Sequence, residues 1–240
     1  MKNKLFLLIL FIASSHIIFA QQVVFEEEVN DYYSESNKGP NNSRFSHIYL
    51  AYKPLADNSS PDTAFVMPGK SGIFEIGIRN KYKIAKIYAL GYNINFRNTK
   101  FKYGQFAEKT FPSNTMFDKE QLILRSLSLE IYNRFQPART GNRIGWFIDL
   151  GIEGGWIFNN TYKTILKSKT DIGNITEKTA ISGLSQFKDF TYTAKARIGF
   201  GQFALSAEYR LSDLVNKDHN YVEPPRLFIG IEAGLFLNNP

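Results

Sequence analysis

Cysteine is absent from the chain, which excludes disulfide staples, thiolate metal centres, cysteine nucleophiles and a lipid anchor on sulfur. Histidine is nearly as scarce, at three in 240 residues, and only His47 and His219 lie beyond the first twenty. After Ile18 no apolar run approaches the roughly 20 residues that a spanning helix needs, so any membrane crossing would fall to strands. The formal charge is +7, with Lys2 and Lys4 among its sources, yet no long Lys/Arg run occurs. Nucleic acid is therefore not an expected partner, and the basic excess suits a solvated surface or attraction to anionic lipid headgroups. Neither a phosphate-cradling glycine loop nor a metal-ligand spacing of His with Asp or Glu is found, so no cofactor and no metal are implied.

What the chain does contain begins with Lys2, Lys4 and the apolar run Leu5 to Ile12, followed by Ile18-Phe19-Ala20. This fits a secretory signal peptide over residues 1–20. Residues 21–42, with Glu26-Glu27-Glu28 and Tyr32-Tyr33, read as a periplasmic lead-in without a fixed fold, open to a docking role. Residues 43–240 carry a period-two pattern in eight segments, the mark of strands whose two faces meet different environments. In Trp146 to Phe158, the residues Trp146, Ile148, Leu150, Ile152, Trp156 and Phe158 oppose Phe147, Asp149, Gly151, Glu153, Gly155 and Ile157. The alternation recurs in Tyr88–Phe96, Tyr192–Phe200, Phe203–Leu211 and Leu227–Leu235, and less regularly in Ser46–Lys53, Ile73–Asn80 and Leu122–Phe135.

Connections alternate in length. Ala56–Gly72, Arg97–Gln121, Asn159–Phe190 and Ser212–Pro225 are long and polar, whereas Lys81–Ala85, Gln136–Arg143 and Gly201-Gln202 are short. An even strand count with short turns on one rim and long loops on the other predicts an all-β fold, an eight-stranded antiparallel up-and-down transmembrane barrel of a bacterial outer membrane with periplasmic termini. Closure follows from hydrogen bonding, because an open edge in lipid would leave backbone groups unpaired.

Eight strands enclose room for side chains but little lumen. The polar faces offer Glu75, Glu130, Asp149, Glu153, Glu208 and Glu232 against Arg79, Lys195, Arg197 and Arg210. Buried charge requires pairing, so these ten residues are expected to form an internal salt-bridge network that fills the barrel. Tyr88, Tyr92, Trp146, Trp156, Phe158, Tyr192 and Tyr209 fit interfacial girdles, and Arg125, beside Ile123 and Leu127, fits a rim position from which it snorkels.

The resulting expectation is a non-enzymatic outer-membrane protein with a structural or interaction role, in contact with outer-membrane lipid and open to envelope or export-system partners. Two other classes remain: a small ligand-binding barrel or narrow pore, and a lipid-modifying enzyme working through His47 or His219, the latter near Ser212 and Asp213.

Several segments add a family resemblance: Leu127-Ser128-Leu129-Glu130-Ile131, Gly151 to Trp156, Ala207-Glu208-Tyr209-Arg210-Leu211-Ser212-Asp213-Leu214, and Pro225-Arg226-Leu227-Phe228-Ile229-Gly230. From about Gln121 onward the chain resembles the PorT-like outer-membrane barrel family of Bacteroidota. The resemblance implies an eight-stranded barrel, and for the namesake branch a part in exporting cargo proteins; it does not imply catalytic residues. The terminus departs from the aromatic ending that the family's sorting signal expects, since Leu235-Phe236-Leu237 is followed by Asn238-Asn239-Pro240.

Overall fold

A computed structural model describes residues 39–57, 65–137, 144–171, 173–216 and 221–235. The proposed leader, residues 21–38 of the lead-in and His219 lie outside the described residues. Nine strands follow in order: β1 (Arg44–Pro54), β2 (Gly72–Lys83), β3 (Tyr88–Lys102), β4 (Lys119–Phe135), β5 (Trp146–Thr170), β6 (Gly173–Ser182), β7 (Phe190–Phe200), β8 (Phe203–Arg210) and β9 (Leu227–Leu235). All pairings are antiparallel. The wall runs β1-β2-β3-β4-β5-β7-β8-β9 and closes through β1 against β9, with Ile48 opposite Leu235 and Tyr52 opposite Ile231. The fold is thus all-β, a closed eight-stranded barrel, and closure satisfies every strand edge in the wall. Among the described residues no helix is long and apolar enough to cross a membrane.

The ninth strand corrects the sequence-based expectation of a loop over Asn159–Phe190. β5 continues past the wall to Thr170 and returns as β6, with Thr161 opposite Ser182 and Thr170 opposite Gly173. The two wall strands that precede β5 in the chain are also longer than the alternation indicated: β3 extends to Lys102 and β4 begins at Lys119. A bulge between Arg125 and Ser126, which face Asn159 and Ile157, shifts the register of β4 against β5. Its extra residue reverses the face that β5 presents, so Asn160 and Thr164 turn inward where Trp156 had pointed outward.

Along the middle of the wall strands the outward side chains are mostly apolar and strongly exposed. Ile131, Ile152, Ile231 and Phe203 are 63%, 64%, 66% and 68% accessible. Aromatic pairs gather at two heights. Tyr88 packs on Phe135 and Trp146 on Phe200 near the short turns, at 5.4 and 5.3 Å between ring centroids, while Phe158 meets Phe96 and Trp156 at 6.1 and 6.2 Å higher up. Gly201 takes φ +60° in the two-residue turn between Phe200 and Phe203, a backbone region that glycine enters without steric cost.

Inside, aromatic rings lie across glycines of the adjoining strand, Tyr49 at Gly77 and, more closely, Tyr132 and Phe147. A Cβ on Gly91 would sit 2.3 Å from the Tyr132 ring, and one on Gly199 would sit 2.3 Å from that of Phe147. Both glycines stand directly opposite the ring they accommodate, an arrangement in which the aromatic covers the backbone that glycine leaves bare. Gly199→Ala is expected to lower the unfolding free energy by about 1–3 kcal/mol through overpacking against Phe147, read as a lower urea midpoint of the folded barrel. An unchanged midpoint would show that the ring can swing aside.

Candidate functional site

The inward face of each wall strand delivers at least one charge to the lumen. Lys53 comes from β1, Glu75 and Arg79 from β2, Arg97 from β3, Glu130 and Arg134 from β4, Asp149 and Glu153 from β5, Lys195 and Arg197 from β7, Glu208 from β8 and Glu232 from β9. Within this lattice six cations face six carboxylates, all of them buried, while the inward Lys81, Arg210 and Glu120 are bound elsewhere, to Pro40, Glu223 and Lys109. The count balances.

Lys53 is the hub. Its Nζ lies 3.0 Å from Glu75, 2.9 Å from Glu208 and 3.3 Å from Glu232, and the side chain is fully shielded. Lys195 Nζ binds Glu153 at 2.5 Å and both oxygens of Glu75 at 3.2 Å. Arg97 bridges Glu153 and Glu208. Toward the short turns, Arg197 makes a two-pronged contact with Glu130 at 2.8 and 2.5 Å and reaches Asp149 at 3.2 Å. Arg134 grips Asp149 in the same forked manner at 2.7 and 2.8 Å, and Arg79 meets Glu232 at 2.6 Å.

Neutral groups complete the coordination. Tyr49 donates its hydroxyl to Glu75 at 2.5 Å, Asn93 donates to Glu130 at 2.7 Å and Asn95 to Glu153 at 2.9 Å. The guanidinium of Arg79 lies 4.3 Å over the Tyr49 ring and that of Arg134 3.9 Å over Phe147, so these cations also gain from the ring quadrupoles.

Above this lattice, toward the long loops, the lumen turns apolar. Leu55, Val66, Ile73, Phe101, Leu122, Leu124, Ile157, Phe187, Leu214, Val215 and Phe228 form one buried cluster. Four long connections contribute to it, with Val66 bridged to Tyr103 and Phe187 to Val215. Burial pushes the Tyr103 hydroxyl well above the usual phenol range. Between lattice and plug a cavity of about 40 Å³ is bounded by Arg97, Ser126, Thr193, Glu208 and Arg210, enough for one or two waters.

Nine of the ten residues picked out from the sequence are brought together: Glu75, Arg79, Glu130, Asp149, Glu153, Lys195, Arg197, Glu208 and Glu232. Arg210 is not. It faces inward but higher, where it binds Glu223 at 2.7 Å and the carbonyl oxygen of Pro224, so its expected partners among the lattice carboxylates are replaced by a loop residue. Alternation assigns a face and says nothing of height. Lys53, Arg97 and Arg134 were not anticipated, although extending the alternation of β1, β3 and β4 to their ends would have placed all three inside.

Of the residues weighed for catalysis, His47 stands apart from Ser212 and Asp213, and His219 lies outside the described residues. His47 is buried near the short turns, stacked on Phe45 at 4.8 Å. Ser212 accepts a hydrogen bond from the Tyr192 amide, and Asp213 pairs with Arg226 at 2.5 Å. No group of three His, Asp or Glu side chains among the described residues is arranged to hold a metal ion.

No protein-family model and no curated protein matches this chain.

Replacing Lys53 by Met would leave Glu75, Glu208 and Glu232 facing one another without their shared cation. Breaking such a buried group is expected to cost about 3–5 kcal/mol, measured as a fall in the urea midpoint at neutral pH. A midpoint equal to that of the unaltered chain would contradict the central position of Lys53.

Proposed function

We propose that this chain is a non-enzymatic outer-membrane barrel with a sealed interior, which acts as a structural or interaction protein through its long loops and hairpin. The observation that carries this reading is the inverted polarity of the wall: exposed apolar side chains surround the barrel while charge is paired inside. Water would oppose such a surface, since a band of exposed Ile, Leu and aromatics is far larger than soluble monomers present. Ten residues separate Trp146 from Trp156 on β5. At about 3.3 Å per residue and a strand tilt of about 40°, they set the two aromatic rows roughly 25 Å apart, the height of the apolar band in outer-membrane barrels. The leader-like residues 1–20 supply a route to the envelope.

Two independent obstructions in the lumen, the ion lattice and the apolar plug, favour an interaction role over conduction. The export role implied by the PorT-like resemblance fits a barrel whose working surface is its loops, with cargo or envelope proteins as partners and outer-membrane lipid as surroundings.

The test begins with membrane fractionation and gel mobility before and after boiling. A closed barrel resists detergent, so the protein is expected in the outer-membrane fraction with a heat-dependent shift. Recovery as a soluble periplasmic protein without that shift would replace this reading with a lipocalin-like binder. In planar bilayers the chain is expected to give no steady conductance, whereas an open-channel current abolished by Arg197→Ala would overturn the sealed interior.

A further inference from the structure

Inside the barrel every lattice cation has a carboxylate, but a second group of cations, on the outer wall, has none among the described residues. Register places them together. Above Phe96, Leu127 and Trp156, which face one another across β3, β4 and β5, the next outward position on β4 is Arg125, opposite Asn98 and Asn159. Beyond it come Lys100 opposite Ile123, Lys102 and Lys163 flanking Gln121, and Lys119 and Lys178 flanking Ile165. Neighbours directly opposite in antiparallel strands share a face at about 4.5–5.5 Å between Cβ atoms, so the six cations form one outward patch.

None of the six makes an ion pair among the described residues. Arg125 has only a 3.5 Å contact with the side-chain oxygen of Asn159. Glu120 points inward and is taken by Lys109, and Glu177 lies on the opposite face of the hairpin, paired in register with Leu166. Mutual proximity is visible at Lys102, whose ammonium is lowered from the ordinary lysine value by partial burial and then by the fields of Lys70, Lys119 and Lys100. Like charges held this close repel, and an anion lying across them would relieve that repulsion.

The wall directly below supplies the other half of an amphiphile's site. An apolar groove of about 1350 Å³ runs over the outer faces of β4, β5, β7 and β8. Its floor includes Gly154, Ala194 and Ala196, and Leu127, Trp156 and Tyr192 stand along it. Leu127 and Trp156 are the residues immediately beneath Arg125, so groove and basic patch are continuous.

We infer that the outer wall of β3 to β6 is a binding site for a phosphate-bearing membrane lipid, its headgroup on Arg125, Lys100 and Lys163 and an acyl chain in the groove below. Lysine and arginine both suit phosphate oxygens, and each cation near a membrane surface contributes on the order of 1 kcal/mol toward an anionic headgroup. The inference rests on the membrane reading above. It goes beyond that reading in naming a lipid class and the place where it docks.

The full chain is folded into phosphatidylcholine nanodiscs doped with phosphatidic acid, and lipid retained per barrel is counted by native mass spectrometry. Phosphatidic acid is expected to be retained in preference to phosphatidylcholine. The combined variant Lys100→Gln, Arg125→Gln and Lys163→Gln should weaken retention on the order of a hundredfold, while Lys100→Arg with Lys163→Arg should keep it. Equal retention by the Gln variant, or no preference for phosphatidic acid, overturns the site. Displacement by glycerol phosphate in solution overturns the lipid as its occupant and leaves a soluble-phosphate site. The gel shift on boiling, taken on the same samples, separates the two levels: a shifted barrel without retained lipid sinks only this inference, and an unshifted unaltered chain sinks the membrane reading with it.

Discussion

The requirement that a charge withdrawn from water find an opposite charge governs this molecule. Lys53 makes the point in one atom: a fully buried ammonium within 3.3 Å of three carboxylates that come from β2, β8 and β9. Each of those carboxylates is held by at least one further cation, and the chain of pairs continues until all eight wall strands have contributed. Such a lattice adds little net stability over an apolar filling of equal volume, because desolvation offsets most of the Coulomb gain. Its effect here is geometric. A strand that slipped by one residue would carry its charge to the outer face and strand its partner, so the lattice fixes register all the way round.

Filling the lumen with long charged side chains demands room, and the wall provides it with glycines placed opposite the bulkiest inward rings, Gly91 under Tyr132 and Gly199 under Phe147. The upper lumen solves the same problem with apolar residues drawn from the connections. Loop segments around Val66, Phe187 and Val215 fold onto Phe101 and Phe228, so the connections double as a stopper. On the proposed reading the barrel serves as a stand, and the parts left to meet other molecules are outside it: the loops, the hairpin of β5 and β6, and the basic outer wall.

That outer wall contrasts with the interior in a way that bears on function. The lattice cations are neutralised within the fold, whereas the cations from Arg125 to Lys178 are gathered on one sector without an ion pair among the described residues. A protein that needed only a solvated rim would not require them on one side, above an apolar groove, with Glu120 and Glu177 turned elsewhere.

Period-two alternation was legible because each wall strand separates two environments, and from it followed the strands, the eight-fold wall, the short and long rims and the inward face that carries Glu75, Asp149, Lys195 and their companions. The chain alone could not say who pairs with whom, since Lys53 and Glu208 are 155 residues apart and meet only after the barrel closes. Nor could it give height: Arg210 has the correct face, yet its level in the barrel assigns it to Glu223. The hairpin from Thr161 to Ser182 escaped because both its faces are wet and the bulge at Arg125 and Ser126 breaks the alternation leading into it. Sequence thus determined which side of the wall the regularly alternating residues occupy, a local consequence of backbone geometry. Tertiary structure decided neighbours, depth and the gathering of outward cations, because these depend on strand stagger and closure, which no single segment encodes.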